Sequence, residues 1–286
     1  MPRCSLLFGV ASLPVAHMAF VALANCMACG QGLKPEFMCC SQDDLTFHDA
    51  EERFHELLDR AQTESERERM RACIIASRLP GWSLNRVRVG GSLIAGAGNG
   101  VFALRALEMG ELVTFYPGDL RLRWQPSIHG IDLAEEQLGS GYFSFAEHLP
   151  LARRDALRRA LLNTQGVEVE LDVVPVTPEF SVAGDPELLD NQAYLGHVLN
   201  DCATCSTVDD VAEYVISAAT RANCRHTSLA DCHTGTVTTR RVEAGEELYV
   251  TYGPTYWLGR QDASDAELQE ALDRWRDLKF VLGHDE

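Results

Sequence analysis

Positive charge is scarce in this chain. Its 286 residues carry 25 Lys plus Arg against 42 Asp plus Glu, a formal charge of −17, and only Lys34 and Lys279 are lysines. A free-standing nucleic-acid binder needs a basic footprint to neutralise phosphates, so no direct nucleic-acid binding is expected. The acidic surface favours a basic partner, or serves only as a solvated coat. Long apolar runs are also missing, apart from residues 5–24, and Pro14 and His17 interrupt that one. It is short and poorly flanked for a stable membrane span. The cysteines are not spread like a secreted disulfide scaffold, and a secreted cysteine-containing protein stands only if residues 1–24 are cleaved. The cysteines fall into an early group (Cys26, Cys29, Cys39, Cys40) and a late group (Cys202, Cys205, Cys224, Cys232), with Cys4 and Cys73 alone. That is too sparse to staple a domain, so a reducing compartment is the expectation. What the chain does have is apolar material, 46% of its residues, which is ample for a packed core.

The N-terminal segment, 1–48, has three readings. Residues 5–24 follow Arg3 and end in Ala22, Leu23 and Ala24, the texture of a targeting segment with a small-residue cleavage site. A packing helix and a start assigned upstream of the true one are the other two. Cys26 and Cys29 form a CxxC that Cys39 and Cys40 could complete for zinc, but adjacent cysteines rarely share one metal.

From Asp49 to about Ser77 the spacing of Phe54, Leu57, Leu58, Ala61, Met70, Cys73 and Ile74 predicts one charged amphipathic helix, stopped by Pro80 and Gly81. The texture then turns to short β-type runs between glycines: RVRV (86–89), SLIA (92–95), GVFA (100–103) and ELVTFY (111–116). A mixed insert follows over about 121–191, with a helix expected near Leu151 to Leu162 and a strand in VEVELDVVPV. Strand texture returns in VAEYVIS (211–217), TGTVTTRR (234–241) and EELYVTY (246–252). The last segment, 258–286, opens on a Ser264/Glu267 capping box and places Leu268, Leu272, Trp275 and Leu278 on one helical face. The fold class is therefore α+β: mainly β, with helices at both ends and in the middle. An internal echo supports hairpins: RALEMGELVTFY (105–116) and RRVEAGEELYVTY (240–252) share an Arg, a Glu, a turn glycine and a strand ending in Tyr.

GAGNGVFA (96–103) is a glycine-rich turn between strands. A dinucleotide-binding loop needs its last glycine where Val101 stands and a helix afterwards, so that reading fails. What remains is a loop whose bare positions let the backbone approach something closely. LGHVLNDCA (195–203) offers His197 and Asn200, and ANCRH (222–226) a second Asn. Cys224 and His226 share a side of a strand, but a thiol nucleophile with its base needs a third, orienting group.

Taken in order, these pieces resemble the SET domain of protein lysine methyltransferases, from about Ser83 to Trp257. The resemblance rests on GAGNGVFA, GELVTFYPG (110–118), GHVLND (196–201) with the delayed ANC (222–224), and GEELYVTYGPTYW (245–257). It implies small β-sheets with a threaded pseudoknot, and S-adenosylmethionine as methyl donor. It also implies a lysine-bearing protein as substrate, a histone tail among the candidates, and a nuclear or cytoplasmic protein. Residue by residue, it assigns the backbone of Gly98, Asn99 and Gly100, with His197, Asn200, Asp201 and Trp257, to the cofactor. Tyr252 becomes the catalytic tyrosine and Tyr116 a wall of the lysine channel. No metal belongs to this set.

The chain departs from the family in two places. Asp201 stands where the family has an imidazole, with about twenty residues between it and Asn223, an excursion the resemblance puts inside the cofactor site. No cysteine-rich segment follows Trp257, so the C-terminal helix, with Trp275 and Phe280, is the alternative closure of the channel. Cys202, Cys205, Cys224 and Cys232 could instead make a zinc site inside the excursion. A non-catalytic SET-fold interaction module is the second functional reading.

Overall fold

The computed structural model describes residues 45–75, 78, 84–122, 143–146, 149–161, 173–177, 180–261 and 263–281. The chain separates into two compact units, Met1–Cys39 and Cys40–Glu286, and every described residue lies in the second. The targeting-like run, the early cysteines and Phe280's side chain lie outside the described residues. No helix among those described is long and apolar enough to cross a membrane.

The charged N-terminal stretch forms two helices rather than the one expected. Helix α1, Phe47–Leu58, starts at a capping box in which Asp49 N donates to Thr46 Oγ1 and Thr46 N to Asp49 Oδ2, both at 3.0 Å. Ala50, Phe54, Leu57 and Leu58 are its buried face. The chain breaks at Asp59 and restarts at Thr63, where Gln62 N and Thr63 N donate to Glu66 Oε2 at 2.8 and 3.2 Å. That second box opens α2, Glu64–Ile75. A reciprocal Thr-x-x-Glu pair satisfies orphan amides, so it sets a new helix start inside a continuous apolar pattern.

Three small sheets follow among the described residues. The first has the order β1-β2-β11-β8, with β1 Val87–Gly91, β2 Asn99–Ala103, β8 Asn200–Asp201 and β11 Glu247–Val250. Strand β11 runs antiparallel to β2 and parallel to β8, with Tyr249 opposite Asn200 and Val250 opposite Asp201. A late strand is thus threaded between two earlier ones, against the usual avoidance of such crossings. The second sheet, β3-β10-β9, comprises Leu112–Tyr116, His233–Thr238 and Cys224–Leu229. Val87, Val101, Leu107, Val113, Leu199, Leu248 and Val250 form the apolar cluster at the centre.

SLIA is not a strand: residues 92–97 make the turn between β1 and β2, because the Ser92 amide donates to Gly98 O at 2.9 Å and its hydroxyl accepts from Ile94 N at 3.0 Å. The two echoed segments pair with each other. Leu107 and Val242 exchange backbone hydrogen bonds of 2.9 and 3.0 Å, and Gly110 and Gly245 both have φ +82°. In each turn the second Glu accepts from the amide three residues before it, Glu108 N to Glu111 at 3.0 Å and Glu243 N to Glu246 at 3.1 Å. In each the leading arginine, Arg105 or Arg240, pairs with that same carboxylate.

The insert supplies the third sheet, β5-β4-β7-β6 (Phe143–Phe145, Leu120–Leu122, Phe180–Ala183, Val173–Thr177), and α3, Leu151–Leu161. Two buried carboxylates tie it down. Arg78 meets Asp119 in a fork of 2.8 and 2.7 Å, Arg153 forks onto Asp185, and Asp185 N donates to Asp119 Oδ2 at 2.8 Å.

VAEYVIS, expected as a strand, is helical: α4 spans Val211–Arg221 after a Thr207/Asp210 capping box. Its buried residues, Val211, Tyr214, Val215 and Ala218, recur at helical spacing. They pack with Cys205, Leu258, Leu268 and Ala271 of the C-terminal part. There α5, Pro254–Gly259, leads to α6, Asp265–Val281, whose Ser264/Glu267 box is present as expected. On α6 it is Ala271, not Leu272, that is fully buried beside Leu268.

Candidate functional site

The site is built around two buried carboxylates. Glu247, at the start of β11 and 1% exposed, lies under the glycine turn. It accepts Ser92 Oγ at 2.7 Å, Leu93 N at 2.6 Å, Tyr249 OH at 2.8 Å and Asn200 Nδ2 at 3.3 Å. Asn200 Nδ2 also donates to Asn99 O at 2.8 Å. The turn itself needs glycine. Gly96 and Gly98 have φ +82° and +72°, and a Cβ on either would meet open space. A Cβ on Gly100 would overlap the Glu247 carboxylate. At Gly96 and Gly98 the turn presents backbone without side chains, and at Gly100 its inner face is closed by Glu247. The turn, Gly98, Asn99, Gly100 and Asn200 lie together around Glu247.

Asp201, 5% exposed, is the second carboxylate. Its Oδ2 accepts Tyr214 OH at 2.6 Å, Tyr252 N at 2.9 Å and Trp257 Nε1 at 2.9 Å, and its Oδ1 accepts Ala203 N at 3.1 Å. Burial pushes its carboxyl above the ordinary range, against the pull of these donors. Three of the four protein donors converge on Oδ2 and one reaches Oδ1. Tyr252 is held at both ends, its amide by Asp201 and its hydroxyl by donation to Leu199 O at 2.6 Å. Its ring meets Tyr256 edge-on, centroids 4.7 Å apart, and stacks with Trp257 at 6.2 Å. Asn223, fully buried, satisfies β11 from the side: its Oδ1 accepts Tyr249 N at 2.7 Å and its Nδ2 donates to Glu247 O at 2.9 Å.

Tyr116 ends β3 and is 2% exposed. Its ring meets His226 edge-on at 5.3 Å and His197 at 6.4 Å. The His197 imidazole packs on this tyrosine and its Nε2 lies 3.0 Å from Asp185 O. Burial, reinforced by Arg78, lowers its pKa to about 4, and burial alone lowers that of His226 to about 4. Both rings are neutral at pH 7, so the surroundings of Tyr116 carry no imidazolium. The chain passes here only because Gly196 has no side chain, since a Cβ would sit 2.8 Å from Tyr116 Cα.

The excursion between Asp201 and Asn223 forms a helical lobe with α6 and is not folded into the glycine turn. Trp275 of α6 lies against Gly253, 3.5 Å from where a Cβ would be. The four late cysteines do not gather. Cys224 belongs to the central cluster and Cys205 to the helical lobe. No group of three or more His, Cys, Asp or Glu among the described residues is placed to hold a metal. Burial raises the Cys202 and Cys205 thiols to about 11 and Cys224 beyond that range, so the Cys224/His226 pair is no thiolate and base.

Two residues central to this geometry, Glu247 and Tyr214, were not singled out from sequence. The Thr207-x-x-Asp210 box was the available signal for the helix that carries Tyr214. For Glu247 only its place in the motif pointed anywhere.

A family model described as "SET domain" matches residues 98–253, more than half of the chain. Similar solved structures include the Chaetomium thermophilum polycomb repressive complex 2, at 16% identity and TM-score 0.33, covering 62% of this chain. An active polycomb repressive complex 2 in the stimulated state matches at 17% identity and TM-score 0.33 over 61% of this chain. This chain spans 16% of the length of each of those chains. The comparison with curated proteins gave no match.

Proposed function

The chain belongs to the SET domain family, and from that premise we propose that it is an S-adenosylmethionine-dependent protein-lysine N-methyltransferase. Its substrate is a lysine-bearing protein, a histone tail among the candidates, met in the nucleus or cytoplasm. The observation that carries the reading is Tyr252, fixed at its amide by Asp201 and at its hydroxyl by Leu199 O, with two further aromatic rings against it.

The residues present fit the cofactor. A turn bare of side chains at Gly96 and Gly98 exposes backbone to a charged methionine end. Gly98, Asn99, Gly100 and Asn200 would hold that end and Trp257 the adenine. Asp201 serves from behind, because its carboxylate is already occupied by protein donors. When bound, S-adenosylmethionine supplies an electrophilic methyl on a cationic sulfur.

The chain's own residues then have two tasks. A lysine amine, with a reference pKa of about 10.4, must arrive without its proton. Tyr116, nearly buried, would form a wall of the lysine channel in this reading, and a poorly hydrated channel favours the neutral amine. The second task is alignment. Tyr252 O–H donates a hydrogen bond to Leu199 O, which leaves the phenolic oxygen's lone pairs to face a polarised methyl in weak C–H···O contact. Positioning is the main catalytic contribution, so no strong base is required.

Calorimetric titration with S-adenosylmethionine, followed by mass spectrometry of a lysine-rich protein or histone mixture, tests the proposal. Saturable binding and a 14 Da increment, about one methyl group on lysine, support it. A folded protein that binds no cofactor overturns it and favours the second reading, a SET-fold interaction module. Asp201, bound by four protein donors where the family keeps an imidazole, is the observation on that side.

A further inference from the structure

The proposed reaction makes no use of Tyr214, which sits on α4 in the excursion between Asp201 and Asn223. Its ring is 1% exposed. Its hydroxyl donates to Asp201 Oδ2 at 2.6 Å and accepts from Gly253 N at 2.9 Å. The same Asp201 oxygen accepts from Tyr252 N at 2.9 Å. One hydroxyl and one carboxylate therefore hold two successive amides just past the end of β11. Left unpaired in this interior, each amide would cost about 1–3 kcal/mol.

The local backbone explains why an anchor is needed. Gly253 has φ +92° and caps α5 without any side-chain hydrogen bond. Helix α5 carries Tyr256 and Trp257, and the Trp257 indole donates to the same Asp201 oxygen at 2.9 Å. The direction in which Tyr252 leaves the strand and the place of both neighbouring rings thus depend on one cluster. Tyr214 cannot drift, because Val211, Val215 and Ala218 of its helix are packed with Leu258, Leu268 and Ala271.

We infer that Tyr214, acting through Asp201, is a positioning residue for Tyr252. The excursion helix supplies the anchor, and the carboxylate stands where the family has an imidazole because it must accept from three sides at once. A neutral imidazole has one acceptor nitrogen and cannot. The inference rests on the reading of Tyr252 as the catalytic tyrosine.

Tyr214→Phe in the full chain tests it, since phenylalanine keeps the ring and its packing and removes only the hydroxyl. The expected result is a kcat lower by about tenfold with KM for cofactor and substrate within about twofold. Exchange of the Tyr252 and Gly253 amide protons should accelerate by about tenfold or more while the α6 amides keep their protection. A folded Tyr214→Phe protein with kcat unchanged overturns the inference, as does a loss confined to melting temperature. Should the wild-type protein neither bind S-adenosylmethionine nor transfer methyl, the proposed function fails. Amide exchange then still judges the anchor, and unaltered exchange at Tyr252 and Gly253 overturns it.

Discussion

Gly100 and Glu247 occupy one space: a Cβ added to the glycine would overlap the carboxylate and come within 2.9 Å of its Cδ. The glutamate cannot step aside, because Ser92, Leu93, Tyr249 and Asn200 all bond to it. Gly100→Ala should therefore unhook the glycine turn, costing about 1–3 kcal/mol as an overpacked core position does. Cofactor affinity, read by calorimetry, should fall with it. Gly96→Ala, strained by φ but not crowded, makes the comparison.

Tyr252→Phe should lower kcat by about a hundredfold, the scale of one misplaced reacting group. Cofactor affinity should stay within a few-fold, because the amide anchor to Asp201 survives. Single-turnover methyl transfer and calorimetry on the same variant separate the two, and unchanged kinetics or product would remove Tyr252 from the chemistry.

His233, on β10, is 2% exposed and enclosed by Phe54, Phe115 and Tyr194 at 5.5–5.8 Å, with Nε2 lacking a hydrogen-bond partner among the described residues. Burial lowers its pKa to about 4. The unfolded chain binds the proton near pH 6.5 and the folded chain only near 4, so stability is full above about 6.5 and falls as pH drops between the two. From pH 7 to 5 this one histidine should cost about 2 kcal/mol. His233→Phe should remove that share in urea melts, leaving any part due to His197 and His226.

Thiol reactivity should follow the same burial. Cys202 and Cys205, raised to about 11, and Cys232, raised to about 12, hold almost no thiolate at pH 8. Maleimide labelling of the native protein, resolved by peptide mass, should spare them and Cys224 until the chain is denatured.

If the −17 surface receives a cationic chain, the KM for a lysine-rich substrate should rise between 50 and 300 mM salt, by about threefold or more. A salt-independent KM would reduce the acidity to a solvated coat.

The sequence carried the site better than it carried the elements between its parts. GAGNGVFA, GHVLND and GEELYVTYGPTYW were legible because glycines and an asparagine at fixed places state a backbone requirement directly. SLIA and VAEYVIS were misread as strands because β-branched and apolar residues fit a strand and a buried helix or turn alike. The break at Thr63 was written in a capping box that apolar spacing obscured. What Asp201 does was not legible. Its carboxylate replaces an imidazole in the motif, but its partners come from positions 203, 214, 252 and 257.

The sequence by itself determined the acidic charge, the α+β texture, the order of the family motifs and the two glycine turns at Gly110 and Gly245. These depend on composition, on local periodicity, or on φ values that only glycine adopts freely. The tertiary structure alone decided that Glu247 lies beneath Gly100, that the excursion is a helix docked on α6, and that Tyr214 and Asp201 hold the strand end of Tyr252. Each of those joins residues far apart in the chain, and burial makes their hydrogen bonds obligatory only once the threaded strand has brought them together.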